Sequence, residues 1–147
     1  MSISTLSYEQ LHLQMVFNQP GYQIAYDAEK QLLIVTDSLQ TADPSCIMET
    51  IEALEKAILE YKPVYFLADS SARSSVFPIE LHWWIAEKLL KACLTVNMKK
   101  AAFVQPSDPI ASISSHQVAD QVSMEEIPIE AGFFSNYEEA FEWLFRP

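Results

Sequence analysis

A serine-rich stretch holds most of the side chains that could take part in chemistry. It spans residues 69–75, reads DSSARSS, and combines a carboxylate, several hydroxyls and a guanidinium. Backbone amides near a helix amino end can hold an anion, and Arg73 would add to that binding. Asp69, Ser70, Ser71 and Arg73 therefore form a candidate anion-binding loop. The alternative is an ordinary polar connection, because a loop without glycine does not easily form a close nest for an anion.

Nucleophilic catalysis is the second chemistry that this stretch suggests. Asp69, Ser70 and His82 supply an acid, a nucleophile and a base, which must lie within hydrogen-bond reach of one another. The strained turn that exposes a nucleophilic serine needs glycines, and none is present near Ser70. We therefore predict a non-catalytic protein, in which Asp69 ends its strand by accepting amide hydrogen bonds.

Cofactor and metal sites lack their usual patterns. The two glycines, Gly21 and Gly132, are too few for a Walker loop or a dinucleotide fingerprint. The histidines at positions 12, 82 and 116 fall on different predicted elements, and none has a partner histidine three or four residues away. Cys46 and Cys93 share no metal-ligand spacing and are interpreted as buried free thiols. We predict neither a cofactor nor a metal.

Composition and charge limit the class of protein and its partners. The chain has 147 residues, half of them hydrophobic, which predicts one globular domain over residues 1–147. Its net charge of −11 argues against nucleic acid and against an anionic membrane surface. The first ten residues lack a signal-peptide pattern, and no apolar run approaches the ~20 residues that cross a bilayer. A soluble, cytoplasmic protein is expected.

The elements on either side of the serine-rich stretch determine where it would lie. Val64–Ala68 is a short, unbroken apolar run, which is typical of a strand covered on both faces. Pro78 predicts the start of a long helix that ends near Val96. A buried strand followed by a polar loop and a helix amino end is the usual place for ligands in α/β domains.

The rest of the chain alternates between strands and helices. Strands are predicted at Leu11–Phe17, which alternates apolar and polar residues as a half-buried strand does, and in a hairpin formed by Tyr22–Tyr26 and Gln31–Thr36. A helix follows Asp43 and Pro44 and ends near Tyr61. The remaining predictions are a strand at 101–104, a helix from Pro109, an edge strand at Ile127–Ile129, and a helix at Asn136–Phe145 that begins with a capping box of Ser135 and Glu138. The fold class is α/β, a mixed sheet of about six strands with four helices packed on it.

Three segments, in this order, resemble a known group of domains. They are the hairpin from Tyr26 to Thr36, the segment from Phe66 to Val104 with its tryptophan-bearing helix, and the ending FSNYEEAFEWL at 134–144. Together they resemble the STAS and CRAL-TRIO-like group with the SpoIIAA-like fold, in a bacterial branch of stand-alone domains. The resemblance runs from about Tyr22 to Leu144.

The resemblance implies a regulatory function and a modification site. In the anti-sigma-factor antagonists of this group, the strand-to-helix loop carries Asp-Ser-Ser-Gly, and a partner kinase switches a serine there. Asp69, Ser70 and Ser71 fall at the corresponding place, while Ala72 replaces the glycine. Phosphorylation of Ser70 or Ser71 is therefore a prediction. The CRAL-TRIO relatives bind lipids, although in a larger domain than this chain provides.

One tryptophan of the long helix is a candidate interface residue. Turned at ~100° per residue, the helix has a wide apolar arc that includes Trp83, which predicts contact with a neighbouring helix as well as with the sheet. Trp84 falls among the charged residues Glu80, Glu87, Lys88 and Lys91. Its ring either lies over a lysine or anchors a second subunit or a partner protein.

The leading hypothesis is a non-catalytic regulatory or protein-interaction module. It would act through the loop at 69–75 and the following helix, with a protein partner or a second copy of the chain. The alternative is a binder of a small apolar or anionic ligand in the crevice at the strand carboxyl ends. A cavity of ~300 Å³ or more beside Arg73 would favour the ligand, whereas a shallow surface with exposed aromatic residues would favour the partner.

Overall fold

Six strands form one sheet in which the strands follow their order along the chain. The structure, a computed structural model, describes residues 11–41, 43–123 and 128–146. The strands are β1 Leu13–Gln19, β2 Tyr22–Asp27, β3 Leu32–Asp37, β4 Tyr65–Asp69, β5 Lys100–Val104 and β6 Glu130–Phe134. The helices are α1 Pro44–Tyr61, α2 His82–Thr95, α3 Pro109–Ser123 and α4 Tyr137–Leu144, with a 3-10 turn at Ile79–Leu81 before α2.

The sheet is antiparallel at one end and parallel at the other. Strands β1, β2 and β3 pair antiparallel, and β3 through β6 pair parallel. Short turns can join only antiparallel neighbours, whereas each parallel pair here is joined through a helix. The predicted mixed α/β fold is confirmed, and β4 lies inside the sheet between β3 and β5, as its apolar run indicates.

Three helices cover one face of the sheet. Side chains of β2 to β5 on this face form the larger core with the inward faces of α1 and α2. Helix α3 lies beside α2 on the same face, because its His116 ring contacts Phe133, which stacks on Phe103 of that core. The predicted contact of the long helix with a neighbouring helix is confirmed, since α2 packs against both α1 and α3.

Of the helices that the structure describes, one short helix lies on the second face. Helix α4 packs on β4, β5 and β6 and forms a second core with Ile34, Leu67 and Val104. On the β1–β3 side of this face lies a depression of about 300 Å³, to which Met15, Gln23 and Ile34 contribute. Within the described residues, no helix is long and apolar enough to cross a membrane.

The helix starts follow the predicted signals in part. Asp43 caps α1 by accepting from the Ser45 amide, with Pro44 in the first turn, as predicted. Pro78 precedes the 3-10 turn, so that α2 itself begins only at His82. The capping residue of α4 is Asn136, whose side chain accepts from the Glu139 amide, and the predicted capping box at Ser135 is wrong.

Two strand predictions need correction. Leu13 and Met15 are 41% and 56% exposed, because β1 is an edge strand and a bulge between Met15 and Phe17 shifts its register. The last strand is Glu130–Phe134, whereas Pro128 and Ile129 form a bend before it. Residue 127 of the predicted edge strand lies outside the described residues. The edge position itself is correct, since β6 ends the sheet.

A buried carboxylate fixes the turn between β2 and β3. Asp27 is 1% exposed, and its carboxylate accepts hydrogen bonds from the backbone amides of His12 and Lys30, both at 3.0 Å. Burial alone would raise the pKa of Asp27, but these amide bonds outweigh it and lower the pKa from its ordinary value of 3.8. The ionised carboxylate therefore stabilises the fold.

We expect Asp27→Asn to lower the free energy of unfolding by about 1–3 kcal/mol at neutral pH, because one buried amide then meets an NH₂ group and not an acceptor. Since the folded pKa is lowered, the contribution of Asp27 is present above about pH 4 and is lost as the pH falls further. Urea unfolding of both proteins between neutral pH and about pH 2 should show the two stabilities converging in acid. A difference that is constant over this range would contradict the account.

Candidate functional site

The carboxyl ends of the parallel strands bring the predicted site residues to one edge of the sheet. Thr36 of β3 pairs with Asp69 of β4, and Asp69 pairs with Val104 of β5. The loops that follow these strands therefore meet at the same edge. The 70–78 loop, defined as the segment between β4 and the 3-10 turn, contains the serine-rich stretch except for Asp69, which ends β4.

A buried ion pair fastens the 70–78 loop to the end of β3. The Arg73 guanidinium donates to the Asp37 carboxylate, and the two residues are 2% and 6% exposed. Arg73 Nε also donates to the Ser75 carbonyl at 3.0 Å, and the guanidinium lies 3.6 Å from the centre of the Phe77 ring. Arg73 is therefore committed to the inside of its own loop.

Burial changes the pKa of the acidic groups at this ion pair. Burial raises the pKa of Asp37, against the opposing effect of Arg73 and the Leu39 amide, which donates to the Asp37 carboxylate at 3.1 Å. Burial, helped by the nearby Asp37 charge, also raises the pKa of the Tyr22 phenol. Tyr22 thus stays protonated and takes no part as a base.

The anion-binding prediction depends on the donors that this arrangement leaves. Arg73 Nη2 and Ser75 Oγ are buried and have no hydrogen-bond partner among the described residues. Both atoms lie inside the loop, which would have to open before an anion reached them. Anion binding by this loop stays a prediction.

Two of the remaining predicted site residues, Asp69 and Ser71, bind each other. The Asp69 carboxylate accepts from the Ser71 amide at 3.1 Å and from the Ser71 hydroxyl at 2.7 Å, as expected for a residue that ends its strand. The Ser71 carbonyl accepts from the Ser107 amide at 3.2 Å, which joins the loop to the segment before α3. Ser70 and Ser71 are half-buried. Their phosphorylation stays a prediction, and a phosphate on Ser71 would meet the Asp69 charge.

His82 is also held by the loop backbone. Its Nε2 lies 2.9 Å from the Phe77 carbonyl oxygen, and a carbonyl can only accept, so this nitrogen is the donor. The Phe77 amide in turn donates to Ser114 Oγ of α3 at 2.7 Å. His82 is 8% exposed. His82 thus joins the loop to the start of α2 through this hydrogen bond. The Asp69 carboxylate accepts its hydrogen bonds from Ser71.

The two tryptophans of α2 have environments opposite to those that the helix pattern indicates. Trp84 is half-buried against Ile47 and Ile51 of α1, with Lys88 Nζ 5.3 Å from its ring centre. Trp83 is 58% exposed. A helical wheel gives angular positions but does not tell which flank a neighbouring helix covers, and α1 covers the flank of Trp84. The interface function of Trp84 stays a prediction.

An apolar surface lies outside the helices that follow the loop. Lys88 of α2 bonds Glu55 of α1 at 3.1 Å, so the flank that carries Trp83 is turned towards α3. Both α2 and α3 connect parallel strands and therefore begin at the edge of the sheet that carries the loop. Four large side chains are more than half exposed at these two helix starts, and we name them the α2–α3 surface: Ile79 78%, Trp83 58%, Ile110 68% and Ile113 60%.

Sequence reasoning did not find this surface. Ile110 and Ile113 are apolar positions that predict a buried face for the helix from Pro109, but both are exposed, and the buried positions that the structure describes in this helix are Ala111 and Ser114. The small size of Ala111 is a signal, since it allows α3 to approach its neighbours closely without burying the isoleucines.

In comparisons with known proteins, no family model matches this chain, and no curated protein matches it. Its STAS-like character therefore stays a prediction.

The ion pair gives a stability prediction. Arg73→Met should lower the free energy of unfolding by about 3–5 kcal/mol, because it leaves the Asp37 carboxylate buried without its partner. The double variant Asp37→Leu with Arg73→Met should recover most of that loss, since two apolar side chains of similar volume need no charge partner.

Chemical unfolding of the two single variants, the double variant and the unmodified chain measures the coupling between the two residues. Equal losses in Arg73→Met and in the double variant would mean that Arg73 stabilises the loop through Phe77 and Ser75 alone. That outcome would contradict the account of the ion pair.

Proposed function

We propose that this protein is a non-catalytic, STAS-like regulatory module that binds a protein partner through the α2–α3 surface. The observation that carries the proposal is the exposure of Ile79, Trp83, Ile110 and Ile113 at the starts of two adjacent helices. Because α2 packs against α3 and both helices begin at the same edge of the sheet, these side chains lie on one side of the molecule, and an exposed apolar patch there is typical of a surface that another molecule covers. Tryptophan is also enriched among the residues that dominate interface energies.

Hydrogen bonds of the 70–78 loop restrain the residues of the α2–α3 surface that follow it. Arg73 and His82 hold the 70–78 loop at its two ends, the first through Asp37 and the second through the Phe77 carbonyl. A loop fastened in this way presents Ile79 and Trp83 in one arrangement, which lowers the conformational entropy that binding would cost. The absence of catalysis fits the hydrogen bonds of Asp69 and His82, which already engage their functional groups.

The alternative, a small apolar or anionic ligand at the strand carboxyl ends, has less support. It relied on Arg73 as the cation of a crevice, and Arg73 is buried against Asp37. The depression of about 300 Å³ lies on the β1–β3 side of the opposite face. Among the described residues its lining includes Asn18, Gln23 and Thr36 and contains no cation.

Substituting each tryptophan in turn distinguishes a residue that binds the partner from a residue that stabilises the core. Trp83→Ala should abolish partner binding while changing the melting temperature little, because most of the side chain is in solvent. Trp84→Ala should lower the melting temperature, because it removes a half-buried ring from the contact between α1 and α2. Leu59→Ala, which truncates an exposed leucine of α1, is the control and should change neither property.

Quantitative pull-downs from the native cells, combined with thermal unfolding of each variant, measure both properties. The proposal predicts a set of captured proteins that Trp83→Ala loses and Leu59→Ala keeps. If Trp83→Ala and Leu59→Ala capture the same proteins as the unmodified chain, the α2–α3 surface is not the docking site.

A further inference from the structure

We infer that the partner presents a cationic, amphipathic helix to the α2–α3 surface. This inference rests on the proposed function and specifies the chemistry of the partner. It comes from the charges around Trp83. Glu80, in the 3-10 turn, lies three residues before Trp83, and Glu87 of α2 lies four residues after it, so that both carboxylates are neighbours of the indole along the helix. Both residues are exposed.

These two carboxylates are available to a partner. Within the described residues neither Glu80 nor Glu87 takes part in an ion pair, whereas Lys88 is paired with Glu55 of α1. Lys91, four residues after Glu87, is an exposed cation, so the negative charge is concentrated around Trp83 at the start of α2. Asp108 caps α3, with its carboxylate accepting from the Ile110 and Ala111 amides at 3.0 Å, and it places a further negative charge at the same edge of the sheet. The chain as a whole carries −11. An apolar centre with a negative rim complements apolar side chains bordered by lysine or arginine.

A second copy of the chain fits this surface poorly. In a symmetric dimer the same patch lies on both subunits, so that Glu80 and Glu87 of both copies would be brought into one interface. Like charges brought together across an interface cost several kcal/mol. The charge pattern therefore favours a different molecule over self-association.

The length of the apolar stripe favours a helix as the docked element. Exposed or half-buried apolar side chains continue from Ile79 and Trp83 along α2 to Leu90 and Leu94. The last of these, Leu94, is 39% exposed. At ~1.5 Å per residue this stripe is about 22 Å long, the length of roughly four helical turns. Amphipathic helices that dock in grooves use apolar anchors spaced over such a length.

The test uses two synthetic peptides and charge-reversal variants. Each peptide has about 18 residues with leucines at helical i, i+3, i+4 and i+7 spacing; its polar positions are lysine in one peptide and glutamate in the other. Fluorescence anisotropy at about 0.15 M ionic strength measures binding of each peptide. The lysine peptide should bind at least about tenfold more tightly than the glutamate peptide, and Trp83→Ala should abolish its binding.

Charge reversal distinguishes local complementarity from net charge. Glu80→Lys with Glu87→Lys should weaken binding of the lysine peptide by about tenfold or more. The matched control, Glu49→Lys with Glu52→Lys, changes the net charge by the same amount at exposed positions of α1 and should have little effect. Circular dichroism of each variant checks that the fold is intact.

Each failure has a separate meaning. If Trp83→Ala leaves binding of the lysine peptide unchanged, the α2–α3 surface is not a docking site, and the proposed function fails as well. If Trp83→Ala weakens binding but both charge reversals act equally, or neither acts, the docking surface stands and the cationic partner is wrong. A concentration-dependent dimer in sedimentation that Trp83→Ala abolishes would also overturn the inference, because a second copy would then occupy the surface.

Discussion

The buried ion pair between Asp37 and Arg73 is the constraint on which one whole edge of this molecule depends. Each ion loses several kcal/mol of hydration on burial, so that the fold tolerates either charge only in the presence of the other. The pair keeps the 70–78 loop against β3, where the Ser74 and Ser75 amides both donate to the Leu39 carbonyl at 3.3 Å. The loop is thus a fixed part of the core, although its composition is that of a flexible polar connection.

The fixed loop determines what the chain presents to solvent. The Phe77 ring lies against the Arg73 guanidinium. The Phe77 carbonyl accepts a hydrogen bond from His82, and the Phe77 amide donates to Ser114. The loop therefore joins α2 and α3. Several polar groups of the loop are used in these internal contacts, and Arg73 Nη2 and Ser75 Oγ are buried inside it. Large apolar side chains of the two helices remain outside, with carboxylates around them. The exposed apolar side chains favour a binding function for this surface. A chemical function based on the loop would need the Asp69 carboxylate and the His82 ring to be free of their internal hydrogen bonds.

The sequence predicts well those features that neighbouring residues determine. The apolar run Val64–Ala68 and the Asp43-Pro44 helix start are local, and both are present in the structure. The Asp37–Arg73 pair joins residues 36 positions apart, and no local pattern indicates it. The exposure of Met15 and the exchange of environments between Trp83 and Trp84 depend in the same way on which faces other elements cover. Single-sequence periodicity gives the faces of a helix or strand, but it does not show which of them has a neighbour.

The most direct test of the α2–α3 surface is a backbone amide NMR titration of the full chain with the lysine peptide. We predict that the chemical-shift changes concentrate on residues 79–94 and 110–117, with the amides of Arg73 and Ser75 nearly unchanged because the loop does not open. Changes centred on Met15, Gln23 and Ile34 would place binding in the depression on the opposite face of the sheet. That result would contradict the account.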